Sequence, residues 1–253
     1  MDSYQYDRED MELVIVEDLR CEKPGAPQLK DRLLERFYKI KWIGVDGDRS
    51  KTSIYASPWV LMTNIGVKKA SHEAILGTSP ECLQVGVVEK AAESFTKDSI
   101  TFFDAYDTTR DFVFAAKDMA RMHPSEILKL PCVKKPAMLG QGTNRFWWYS
   151  VLFPRSKFIE CGGIEEHLMS GYGWEDDILG TMLHNAGLTV IQESGAFVIH
   201  GYHFRAGPVW ADERAKLQNL NLCHKYIDEK IKVANVGRKW GDFKTIVKEE
   251  VWT

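Results

Sequence analysis

The sequence predicts a single α/β domain in which helices flank a mostly parallel, mixed sheet. Short apolar runs rich in β-branched residues, at 13–18 (LVIVED) and 42–46 (WIGVD), have the composition of buried strands. Segments with helical spacing of apolar residues lie between such runs, and this alternation is typical of α/β proteins. A chain of 253 residues is also long enough to bury one large core.

Composition narrows the classes of function. The formal net charge is −3, so the chain lacks the overall basic charge that nucleic-acid binding favours. No apolar run approaches the roughly 18–20 residues of a membrane span, and the acidic start MDSYQYDREDMEL lacks the plan of a signal peptide. The five cysteines are scattered and form no CxxC motif, so we expect free thiols and a soluble, cytoplasmic protein.

The remaining elements follow from hydrophobic spacing. Further helices are predicted at 28–38, 57–70, 86–94, 108–122 and 211–234. Further strands are predicted at 100–106, 145–154 and 196–203. The chain therefore divides into a polar segment at 1–12, the α/β domain, and a helical tail at 211–253 that we expect to be peripheral.

The segment 171–177 (GYGWEDD) is the most distinctive part of the chain. Apolar residues at steps of three and four follow it until Gly187, so Glu175, Asp176 and Asp177 occupy the first turn of a helix. Free backbone N–H groups and the helix dipole favour acids there, and a capping role alone remains open. The alternative is catalysis, because a carboxylate beside a Gly-aromatic loop can take a proton from a sugar hydroxyl.

Together, GGIE at 162–165, the GYGWEDD segment, the helix after it and the strand ending in His200 resemble GT-A glycosyltransferases. The match is to their C-terminal half, and most of all to enzymes that transfer galactose or N-acetylgalactosamine. The resemblance implies a Rossmann-like GT-A fold and inverting transfer of a sugar from a nucleotide-sugar donor to an acceptor hydroxyl. It makes Asp176 the catalytic base and Glu175 its partner in positioning the hydroxyl, while Asp177 falls on a variable position.

The same resemblance implies which residues bind the substrates. The donor is expected to be a UDP-sugar and the acceptor a glycan or glycoconjugate. Residues expected at the sugar site are Tyr172, Trp174, Gly173, Gly163, Arg145 and Trp148. Residues expected at the nucleotide are Glu17, Asp18, Asn64 and Ser79.

Metal use is left open by the sequence. The family has an Asp-x-Asp motif for Mn²⁺ or Mg²⁺ where this chain has Ser79-Pro80-Glu81. Glu81 still offers a carboxylate, and the resemblance implies that a histidine of the last strand completes the site, with His200 as first choice and His203 as second. A site of this kind and a metal-independent protein both agree with the residues.

Other departures from the family keep a second class of function open. Only 12 polar residues precede the first strand, so the first βα unit of the family is missing or replaced. A nucleotide- or carbohydrate-binding module on a degraded transferase fold is therefore the alternative to an enzyme. A metal-dependent hydrolase is a weaker third reading, because no tight His/Asp cluster stands in the sequence.

Overall fold

The computed structural model describes residues 10–19, 25–46, 59–109, 122–133, 149–170, 173–201, 213–242 and 245–253. Within these ranges the protein has mixed sheets flanked by helices, which confirms the predicted α/β class. The predicted helix at 108–122 and the first residues of the predicted strand at 145–154 lie mostly outside the described residues.

The N-terminal sheet joins distant parts of the chain. β1 (Glu12–Asp18) pairs in parallel with β2 (Lys39–Val45), and β8 (Ile246–Trp252) pairs antiparallel with the other side of β2. Trp42 and Trp252 stack across this pair with ring centroids 6.1 Å apart. The prediction of a peripheral helical tail is therefore wrong for these residues, because their backbone pairs with β2 and Trp252 is buried.

The larger sheet has the strand order β3-β6-β5-β7-β4. Its strands are β3 (Ala74–Thr78), β4 (Cys82–Val85), β5 (Ser99–Asp107), β6 (Ser150–Pro154) and β7 (Thr189–His200). Only β5 and β7 are parallel in it, and the other three pairings are antiparallel. The sheets are mixed as predicted but contain fewer parallel pairs, because the strands on both sides of β5 and β7 run the opposite way.

Helices cover the sheets where the sequence shows amphipathic spacing. They are α1 (Lys30–Leu34), α2 (Trp59–Lys69), α3 (Val87–Ser94), α4 (Pro124–Ile127), α5 (Arg155–Glu160), α6 (Glu175–Asn185) and α7 (Glu213–Asp228). The main core packs α2, α5, α6 and α7 against β5 and β6. The predicted helix at 28–38 is shorter than expected, because it begins as a 3-10 turn at Ala26–Leu29 and ends at Leu34. None of the helices in the described ranges is long and apolar enough to cross a bilayer.

Helix α6 confirms the expectation for the acidic segment. It begins at Glu175, so the three acids do form its first turn. The apolar stripe predicted after them is buried, with Ile178 and Met182 both at 0% exposure. Gly187 follows the helix with a φ of 98°, a conformation that suits glycine at a helix C-terminus.

The glycine pair before α6 is enclosed by the rest of the chain. Gly162 and Gly163 have φ values of 78° and 74°, which residues other than glycine rarely adopt. A Cβ on Gly163 would lie 2.5 Å from the Trp240 ring and 2.6 Å from Asn64 Oδ1. The missing side chain of Gly163 makes room for Trp240 and Asn64, and its contact with the sugar stays a prediction.

We expect Gly163→Ala to lower the free energy of unfolding by more than about 2 kcal/mol, because it adds a steric clash to an unfavourable φ. Gly237→Ala is the matched control, since Gly237 has nearly the same φ of 73° but nothing within 4 Å of an added Cβ. The control should lose only about 1 kcal/mol. Urea unfolding of both variants tests this, and equal losses would contradict the packing argument.

Candidate functional site

One cluster of polar side chains lies at the end of the larger sheet. The parallel strands β5 and β7 finish side by side at Asp107 and His200. The short link from β3 to β4 passes this end, since Glu81 O accepts a hydrogen bond from Gly201 N at 2.9 Å. Ligands of α/β sheets bind at the carboxyl ends of parallel strands, so this edge is where a site is expected.

His200 lies between two carboxylates in this edge cluster. Its Nδ1 is 2.9 Å from Asp107 Oδ1, and its Nε2 is 3.6 Å from Glu81 Oε1. The Tyr149 ring packs on the imidazole with ring centroids 4.5 Å apart. Burial lowers the pKa of His200, but the two carboxylates outweigh it, so its pKa is raised above the usual value.

The edge cluster offers two of the donors that a divalent cation needs. Asp107 holds Nδ1 of His200, and this is the arrangement that directs Nε2 of a metal-binding histidine toward its ion. Nε2 and Glu81 Oε1 have a spacing that suits neighbouring ligands of one ion, which lie ~3 Å apart at metal–ligand distances near 2.1 Å. Among the described residues no group of three or more His, Cys, Asp or Glu side chains is placed to hold a metal. The described residues therefore offer two candidate ligands, Glu81 and His200, and the predicted ligand His203 lies outside the described residues.

A second cluster surrounds the start of α6. Trp174 has a φ of 72° and Gly173 a φ of 82°, so two successive residues are left-handed before the acids. A non-glycine residue in this region is strained and needs support from its surroundings. Asn219 of α7 provides support, because its Nδ2 donates a 2.9 Å hydrogen bond to Gly173 O.

Glu175 is held by a tryptophan from another helix. Trp59, the first residue of α2, donates a 2.9 Å hydrogen bond from Nε1 to Glu175 Oε1. The other oxygen, Oε2, is buried and accepts no hydrogen bond from the described residues. Burial raises the pKa of Glu175, although the hydrogen bonds to its backbone and to Trp59 oppose this. Asp176 lies beside it in the same helical turn and is partly exposed.

Two residues predicted to bind the nucleotide bind other parts of the chain in this structure. Glu17 accepts hydrogen bonds from Gly25 N at 2.8 Å and from Trp42 Nε1 at 2.5 Å. Asn64 is completely buried, and its amide forms hydrogen bonds with Ile164 and Glu166. Contact of these two residues with a nucleotide stays a prediction.

For the other predicted residues, the prediction stays untested or the residue lies outside the described ranges. Asp18 ends β1, and Ser79 stands in the link to Glu81, which leaves both as predictions. The predicted sugar-site residues Tyr172, Arg145 and Trp148 lie outside the described residues. Of the predicted set, the structure therefore brings Glu81 next to His200, and Trp174 next to Glu175 and Asp176.

Sequence reasoning missed three residues of the two clusters. Asp107 could have been found, because it is an acid at the carboxyl end of a buried strand, where α/β sheets bind their ligands. Trp59 and Asn219 carry no local signal, because each acts on a partner far away in sequence.

A buried carboxylate fixes the segment that leads to α6. Glu165 accepts a 2.9 Å hydrogen bond from the Tyr226 hydroxyl and one from Asn235 N at 3.3 Å. His167 adds a ring contact of 2.6 Å to the other oxygen. Burial raises the pKa of Glu165, but these hydrogen bonds outweigh it, and the pKa is lowered overall. Glu165 therefore stabilises the segment that leads to α6 through hydrogen bonds within the chain.

Comparison with solved structures supports the fold. The chain is similar to a mannosyltransferase from Pyrobaculum calidifontis, PcManGT, solved with GDP-Man and Mn²⁺, with a TM-score of 0.50, 15% identity and 85% of this chain covered. It also matches GalNAc-T7, solved with UDP, GalNAc and Mn²⁺, with a TM-score of 0.48, 15% identity and 85% of this chain covered. The match spans 54% of the first protein and 44% of the second, so this chain corresponds to about half of their length. No protein-family model and no curated protein sequence matches the chain. The fold is therefore of the GT-A glycosyltransferase type.

We expect Glu165→Gln to cost about 1–3 kcal/mol of unfolding free energy at pH 7, because buried donors lose a charged acceptor. The folded-state pKa lies below the ordinary value of 4.5, so this stability is fully present above pH 4.5. The difference between wild type and variant should shrink as the pH falls below that value. Glu160→Gln is the control, since its carboxylate is 64% exposed and should change stability little. Urea unfolding from pH 7 to pH 3 tests this, and a constant difference would contradict the assignment.

Proposed function

We propose that the protein is a glycosyltransferase that moves a hexose from a nucleotide-sugar donor to an acceptor hydroxyl with inversion. The observation that carries the proposal is the juxtaposition of Glu81 and His200, 3.6 Å apart, at the end of β5 and β7 in a GT-A-type fold. The acid pair at the start of α6, Glu175 and Asp176, would supply the base and the group that positions the acceptor. Capping alone explains acids in a helical turn, but it does not explain why Glu175 Oε2 is buried without a hydrogen bond from the described part of the chain.

In this proposal Asp176 accepts the proton of the reacting acceptor hydroxyl, and Glu175 positions the acceptor by accepting a hydrogen bond at Oε2 from a neighbouring hydroxyl. Trp174 offers an aromatic face beside the acids for a sugar ring. Glu81 Oε1 and His200 Nε2 would hold Mn²⁺ or Mg²⁺, and a bound ion supplies charge stabilisation for the leaving diphosphate. Asp107 keeps the His200 ring in the orientation that this role requires.

One binding experiment identifies the donor nucleotide and distinguishes an enzyme from a binding module. A UDP-sugar is the donor expected from the sequence, and the similar mannosyltransferase was solved with GDP-Man. Calorimetry with UDP- and GDP-sugars, with and without Mn²⁺, identifies the nucleotide. Binding without sugar transfer or donor hydrolysis would favour a binding module on a degraded transferase fold.

We expect Asp176→Asn to lower the transfer rate by about 100-fold or more, because the variant lacks the general base. Donor affinity should stay the same. Asp177→Asn is the matched control, because it removes the same charge from the same helical turn and should retain the rate within about threefold. Released nucleotide measures the rate. Full activity of Asp176→Asn would exclude Asp176 as the base.

We expect Glu81→Gln to weaken donor binding about 10-fold in the presence of Mn²⁺ and to cause no loss of binding in EDTA, where the neutral side chain no longer repels the diphosphate. The exposed Glu93 of α3 provides the control variant Glu93→Gln, which should bind as wild type does in both conditions. Calorimetry gives both affinities. An equal loss with and without Mn²⁺ would show that Glu81 acts on the donor without a metal.

A further inference from the structure

The start of α6 contains a contact that the proposed chemistry does not explain. Trp59 and Glu175 are separated by 116 residues, yet the indole N–H meets Glu175 Oε1 at 2.9 Å. Trp59 is partly buried and packs against the main core, so its ring has a fixed position. The hydrogen bond therefore connects a side chain of fixed orientation to a carboxylate of the acid pair.

The two oxygens of Glu175 have different surroundings. Oε1 is occupied by the indole, whereas Oε2 is buried and accepts nothing from the described residues. A buried acceptor without a partner is costly, so its lack of a partner points to a ligand or water that completes it. A carboxylate held at one oxygen can rotate little, and the other oxygen then points in a defined direction.

We propose that Trp59 is a positioning residue, which fixes Glu175 so that Oε2 is the oxygen presented to a hydroxyl of the acceptor. The inference rests on the proposed function, and it assigns to Trp59 a role that no similarity supplies. A hydroxyl is the group that fits, because it can donate to Oε2. It would be a neighbour of the reacting hydroxyl, whose own proton goes to Asp176, so the bond to Oε2 holds the reacting group in place. Trp59 itself does not touch the reacting atoms.

The chain contains a control of the same chemistry. Trp252 Nε1 donates a 2.8 Å hydrogen bond to Glu250 Oε2 in the N-terminal sheet. Trp252→Phe removes this Trp–Glu bond and keeps an aromatic ring in the stack with Trp42. It therefore reports what the loss of an indole donor does to the protein when α6 is not involved.

Activity provides the first test. We expect Trp59→Phe to lower kcat by about 10- to 100-fold with donor affinity unchanged, because the acceptor hydroxyl is misplaced. Trp59→His, which retains a ring N–H, should recover part of this loss. Trp252→Phe should keep kcat within about twofold, with circular dichroism confirming that all variants fold. A kcat of Trp59→Phe within twofold of wild type would overturn the inference.

NMR provides a test that does not need turnover. Glu175→Gln should shift the indole N–H signal of Trp59 and leave that of Trp252 in place. Trp59→Phe should raise the Glu175 pKa further, measured by carboxyl ¹³C shifts, because the indole bond lowers it. An unmoved indole signal or an unchanged Glu175 pKa would overturn the inference. A wild-type protein that transfers no sugar would instead overturn the proposed function, while these two signals still decide whether Trp59 orients Glu175.

Discussion

The structure depends on one buried amide, that of Asn64. Its Oδ1 accepts from Ile164 N at 2.8 Å, and its Nδ2 donates to Ile164 O at 2.9 Å and to Glu166 at 3.0 Å. The left-handed turn at Gly162 and Gly163 brings backbone polar groups into the interior, where they need partners. Asn64, in helix α2, supplies them for Ile164, 100 residues away. Asn235 Nδ2 donates to the carbonyl of Gly162. Trp59 at the start of the same helix holds Glu175, so one rigid helix fixes both the approach to the acid pair and one acid itself.

Helix α7 also holds this region in place. Tyr226 binds Glu165 at 2.9 Å, and Asn219, about two turns earlier on the helix, binds Gly173 O at the same distance. The strained backbone at Gly173 and Trp174 is thus held by Asn219 at Gly173 and by Trp59 at the following residue, Glu175. Strain of this kind persists only where the surroundings over-determine it, and functional sites are where it is concentrated. The acid pair therefore begins a helix whose entry is held in position by two other helices.

The sequence predicted the elements that have local signals and missed the contacts that do not. The start of α6 is encoded by acids followed by an apolar stripe, and the end of β7 by an apolar run before His200. Glu17 and Asn64 matched family positions, but the partners that occupy them, Trp42 and Ile164, come from other elements. The pairing of β8 with β2 was missed for the same reason, since a tail of mixed polarity shows no partner until the chain is folded. Spacing predicts which face is buried, whereas only tertiary structure decides what it is buried against.

Charge balance at the edge cluster bears on metal dependence more directly than the number of ligands does. Glu81 and Asp107 surround one imidazole, so the cluster is negative even when His200 is protonated. A diphosphate beside it would meet like charge at close range, and such repulsion is strong where water is partly excluded. A proton on His200 offsets one carboxylate only, and with Nδ1 held by Asp107 its Nε2 is turned toward Glu81. Under the proposed function, we therefore expect an anionic donor to bind here together with a divalent cation. Glu81 replaces the second Asp of the Asp-x-Asp motif, and because it keeps the negative charge, we expect it to keep the requirement for a cation.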